Sequence, residues 1–111
     1  MEKNDGLWIV EFGSSEGLFG RGIFVLDGER ILGGDLGYYY SGHCKKDNDR
    51  ITGKIDVIRF DRDAVSVFGE IDNFTLTFEG AVSNSHFTAN AKSDSFPKMV
   101  MEIKATKKVD L

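Results

Sequence analysis

The segment "NFTLTFEG" (73–80) places Phe74, Leu76 and Phe78 in strict alternation with Thr75, Thr77 and Glu79. A repeat of two is the signature of a β-strand with one face in an apolar core and the other in water. On a helix the same six residues would be scattered around the axis. Similar short runs recur along the chain: "GLWIVEF", "LFGRGIFVL", "ERILGG", "YYYSGHC", "RITGKIDVIRF", "HFTANAKS" and "KMVMEIKATKK". Gly, Asn, Asp or Ser separates most of them, and no segment shows the 3.6-residue repeat of an amphipathic helix. With thirteen Gly, nine Phe and one Pro, the composition agrees with an all-β chain of strands and tight turns. At 111 residues the chain (1–111) forms one domain.

Eight short antiparallel strands joined by hairpins form a meander, and a flat meander leaves two long unpaired edges. Closure into an eight-stranded up-and-down, lipocalin-like barrel removes those edges. A two-sheet β-sandwich of the same strands is the alternative. Gly6 and Trp8 open the first strand in the Gly-x-Trp pattern of lipocalins, where the indole plugs one end of the barrel. Gly20, Gly22, Gly42 and Gly53 fall inside strands, where glycine marks bending or close approach. Asp27-Gly28 reads as a two-residue hairpin turn with positive φ angles, and Asp47, Asn48 and Asp49 as a polar turn. The segment "DRDAVSVFGEID" (61–72) breaks the alternation and reads as an irregular connection.

Alternation assigns Trp8, Val10, Phe12, Phe74, Leu76, Phe78, Met99 and Met101 to the interior, where they would line a lumen for a small lipophilic ligand. The first two strands are apolar on both faces. Leu7, Ile9, Phe24 and Leu26 are therefore expected on the outside, as one patch that forms a homodimer.

No catalytic set emerges. His43 and Cys44 are adjacent, so on a strand they point to opposite sides, and His86 is remote in sequence. The chain is expected not to be an enzyme. One Cys and two His do not supply a zinc site, and the loop "DND" lacks the glycine and terminal glutamate of a calcium loop, so no metal or cofactor is expected. A formal charge of −4 argues against direct nucleic-acid binding. No window is long and apolar enough for a membrane-spanning helix or a secretory signal, which makes the cytoplasm the expected location.

The segments "DGLWIVEF", "GGDLGYYYSGHC" and "SVFGEIDNFTLTFEG", in this order and spread over most of the chain, resemble the GrlR family of bacterial regulators of type III secretion. The most specific piece is Gly33, Gly34 and Asp35 followed by Tyr38, Tyr39, Tyr40 and Gly42. The glycine pair reads as a turn with unusual backbone angles, with Tyr38 and Tyr40 on one face of the next strand and Tyr39 on the other. The resemblance implies a lipocalin-like barrel, a homodimer, and negative regulation through binding of a protein partner such as a transcriptional activator. It also implies a partner contact at the loop where the family's namesake carries four acidic residues. The matching positions are Lys46, Asp47, Asn48 and Asp49, of which only two are acidic, with Lys45 and Arg50 beside them.

Overall fold

The computed structural model describes residues 4–14, 17–64 and 72–111. Eight strands form one closed antiparallel barrel in chain order. They are β1 (Gly6–Ser14), β2 (Gly17–Asp27), β3 (Arg30–Gly34), β4 (Tyr38–Asp47), β5 (Arg50–Arg59), β6 (Asn73–Ser83), β7 (His86–Ser93) and β8 (Phe96–Asp110). The expected barrel is thus formed rather than the sandwich, and no helix occurs among the described residues. Closure is made by β8, which runs antiparallel to β1 from Gly6↔Asp110 to Gly13↔Glu102.

Alternation dictates the interior. Phe74, Leu76, Phe78 and Val82 of β6 are buried, as are Phe87, Ala89 and Ala91 of β7. Directly paired residues on neighbouring strands put their side chains on the same side of the sheet. The pairs Trp8↔Phe24, Val57↔Phe74 and Phe78↔Ala91 therefore carry one apolar surface around the cylinder. Trp8 is 1% exposed, its ring stacked on Phe24 at 5.9 Å, and its indole N–H donates to the Asn4 carbonyl at 3.0 Å. Phe78 meets Phe87 edge-on at 6.0 Å and Tyr38 meets Phe74 at 6.2 Å, ring geometries that add to simple burial.

Two turns differ from the local reading, and the polar turn at the β4–β5 tip agrees with it. β2 reaches Asp27, which pairs with Arg30, so the two-residue turn is Gly28-Glu29. Only Gly28 there has positive φ (62°), because a hairpin with glycine first needs just one such residue. Gly33 and Gly34 belong to β3 and neither has positive φ. Gly33 is required for room: a Cβ there would lie 2.1 Å from the Ile23 carbonyl oxygen. At the β4–β5 turn Asn48 takes φ 58°, which asparagine tolerates better than most residues.

The expected irregular connection begins with a turn at 61–64, while 65–71 lie outside the described residues, as does part of "SVFGEIDNFTLTFEG". Arg59 ties the described ends of this connection together. Its guanidinium donates to the carbonyls of Arg62 (3.3 Å) and Ala64 (3.2 Å) and pairs with Asp72 at 2.5 Å.

Glycine also sets how tightly β6 lies on β7. A Cβ on Gly80 would sit 2.0 Å from the Thr88 carbonyl oxygen and 2.7 Å from Ala89 Cβ, contacts with backbone that cannot rotate away. The Gly80→Ala variant is expected to lose about 1–3 kcal/mol of stability, read as a lower urea midpoint at unchanged slope.

Candidate functional site

The barrel is not packed solid. A cavity of about 390 Å³ runs along its axis, lined by Trp8, Val10, Phe24, Leu26, Ile31, Tyr38, Tyr40, Ile51, Ile55, Val57, Phe74, Leu76, Phe78, Val82, Phe87, Met101 and Ile103. Trp8 plugs the end that carries the β2–β3, β4–β5 and β6–β7 turns. At the opposite end Phe12, Gly20, Arg21, Asp35, Leu36, Gly37 and Ala64 surround the mouth. Exposed Leu36 and Phe60 stand at that end, where the Phe60 amide donates to the Gly37 carbonyl at 2.9 Å.

Among the described residues, Asp35 and Tyr40 supply a polar point in this apolar wall. Asp35 Oδ1 accepts the amides of Gly37 and Tyr38, both at 2.9 Å, and closes the β3–β4 turn. Asp35 Oδ2 accepts the phenol proton of Tyr40. The Tyr40 ring reaches from β4 past β3 to β2 because position 22 is glycine: a Cβ there would lie 2.8 Å from the Tyr40 oxygen. Phe12 lies over Gly20 in the same way, at 3.0 Å. Burial, then the hydrogen bond to Asp35 and the charge of Asp35, raise the Tyr40 phenol well above its ordinary value.

Most of the expected lumen residues are where alternation puts them. Trp8, Val10, Phe74, Leu76, Phe78 and Met101 are buried along the cavity, and Phe12 is half-buried at its mouth. Met99 is a correction. Between Ala91↔Met101 and Ser93↔Phe96, β8 advances five residues against two on β7, and this bulge breaks the alternation and leaves Met99 40% exposed.

The outer apolar face also needs correction. Phe24 and Leu26 do not lie outside. Their partners are Trp8 and Gly6, so both turn into the barrel. The outer side of β2 carries Ile23 and Val25 instead, paired with Ile9 and Leu7. One outward row runs Val109, Leu7, Val25, Leu32, and a second runs Ile9, Ile23, Gly34, Tyr39, Ile58. Ile23 and Leu32 are each 48% exposed, and Tyr39 46%. Tyr38 is buried, so the tyrosine run splits between the faces as its alternation requires.

Asp47, Asn48 and Asp49 are exposed at the β4–β5 tip, whereas Lys46, paired with Ile51, is half-buried and set apart from them. Gly42 is buried, where a Cβ would meet the Lys54 carbonyl oxygen at 2.4 Å. Cys44 is buried while His43 is exposed on the other face, beside Arg30 at 3.2 Å. Burial pushes the Cys44 thiol up; Lys46 opposes this, and Glu29 and Asp5 add to it. Among the described residues no three His, Cys, Asp or Glu side chains converge as a metal site would require. The Asp35–Tyr40 pair, its floor of Gly22 and the Arg21 mouth were not read as a site from the sequence. Asp35 and Tyr40 five apart, with a turn between them, were the available signal.

No protein-family model and no curated protein sequence matches the chain.

Two titrations test this geometry. A phenol raised in the folded state adds stability that is fully present below the unfolded value of about 10 and is lost as pH rises above it. Wild type should therefore weaken above pH 10 more steeply than Tyr40→Phe, read from urea midpoints across the alkaline range. Native Cys44 should react slowly with a thiol reagent at pH 8, and at the ordinary free-thiol rate once the barrel is unfolded.

Proposed function

We propose that this chain is a non-enzymatic regulatory protein that acts by binding another protein, in the manner of the GrlR family that its sequence resembles. The observation that carries this reading is the pair of outward apolar rows on β1, β2 and β3. Contiguous exposed apolar surface on a small barrel is the usual mark of a protein contact. The reading assigns this face to a homodimer, with Ile9, Ile23, Val25 and Leu32 in place of the Phe24 and Leu26 first expected. The partner class is a transcriptional activator, whose sequestration would lower expression of type III secretion or related genes from within the cytoplasm. The exposed tip Asp47-Asn48-Asp49 is the polar contact of this reading. Its mixed charge, with Lys45 and Arg50 close by, fits a partner surface less basic than a nucleic-acid-binding helix.

The lumen supports a second reading, binding of a small lipophilic molecule. Eight-stranded barrels either fill with side chains or hold one small ligand, and about 390 Å³ lies within the range of ligand pockets. The two readings are compatible, since one uses the outside of the cylinder and the other the inside.

Sedimentation of the wild-type chain should give a dimer, and the double variant Ile23→Asp, Leu32→Asp a folded monomer with an unchanged circular dichroism spectrum. Affinity capture from the native host should recover one reproducible protein partner, with recovery reduced several-fold by Asp47→Lys, Asp49→Lys. A wild-type monomer that captures nothing reproducible contradicts the regulatory reading.

A further inference from the structure

The lumen's polar point has a definite hydrogen-bonding sense. Asp35 is an acceptor, and three donors already converge on its carboxylate: the amides of Gly37 and Tyr38 on Oδ1 and the Tyr40 phenol on Oδ2. The Tyr40 proton is thereby committed, and its oxygen, in the cavity lining beside Gly22, has only lone pairs left to offer. The basic residue at the mouth does not reverse this. Arg21 has an exposed side chain that lies 3.6 Å from Glu11 on the outer surface. A carboxylate seated at this polar point would meet a second carboxylate and a phenol with no proton to give, in surroundings where an unmatched charge is costly. Lys46 and Lys107 stand at the opposite, Trp8 end, where Lys107 is already paired with Asp110.

We propose that the barrel binds an uncharged lipophile carrying a hydrogen-bond donor such as a hydroxyl, its apolar body along Trp8, Phe24, Leu76 and Met101 and its donor on Tyr40 Oη and Asp35 Oδ2. The proposal rests on the second reading above, that the lumen takes a ligand, and adds the chemistry by which it chooses one. Size follows from volume. A cavity of about 150 Å³ holds benzene, so about 390 Å³ holds a body of about fifteen non-hydrogen atoms. A phenol is protonated at neutral pH even at its ordinary value of about 10, so the bond from Tyr40 to Asp35 is present under the conditions of the test.

Trp8 is the chain's one tryptophan and closes the end of the cavity, so its emission reports occupancy. Decan-1-ol and decanoate are titrated against the wild-type protein at pH 8, with calorimetry as a second readout. Decan-1-ol should bind at least tenfold more tightly than decanoate. The Tyr40→Phe variant, which keeps the ring and removes the oxygen, should weaken decan-1-ol about fivefold, the worth of one hydrogen bond of about 1 kcal/mol, and leave decanoate unchanged. Decanoate binding as tightly as decan-1-ol to the wild type overturns the proposed selectivity while leaving a lipophile-binding lumen. Binding of neither probe to the folded wild type by both readouts overturns the selectivity and the ligand reading together. Neither result depends on the variant's folding, and neither bears on capture of a protein partner.

Discussion

Every other feature depends on β1 having a neighbour on each side. Gly6–Ser14 is hydrogen-bonded to β2 along one edge and to β8 along the other. That double ladder removes the free edges an open meander would expose, and it also decides which way each side chain faces. With Trp8 turned inward, its partners Phe24 and Lys107 must follow it, while Ile9 carries Ile23 outward. A one-residue slip on either edge would exchange the lumen and the outer face.

The interior remains partly empty because of where the glycines stand. Gly20 and Gly22 face the lumen on β2, and the rings of Phe12 and Tyr40 occupy the space their side chains would take. Gly53 plays a related part beneath Phe78. These aromatics therefore lie against the wall instead of filling the axis, and the space between them is the cavity. Asp35 joins fold and site: the carboxylate that closes the β3–β4 turn is also the one that orients Tyr40.

The two candidate binding surfaces share β2. Phe24 and Leu26 face the cavity while Ile23 and Val25, next to them in the chain, face outward. A strand apolar on both faces is unusual for a solvated barrel wall, and here one face builds the lumen while the other contributes to the outer apolar rows.

The eight strands, most of their inward residues and the division of the tyrosine run were legible in the chain itself, because a repeat of two is a local property and needs no partner to be recognised. The same pattern on β1 and β2 was ambiguous, since with apolar residues on both faces nothing local says which face is inside. Only pairing with β1 assigned Phe24 and Leu26 to the interior and Ile23 and Val25 to the surface. Met99 shows the other limit: its phase is set by the β7–β8 bulge, a property of two strands together. The residues 73–80 determined by themselves that the chain makes strands with one dry face. That the strands close into a cylinder, that the cylinder keeps a cavity, and that Asp35 and Tyr40 meet in its wall were decided by tertiary structure, because each depends on contacts between strands that are distant along the chain.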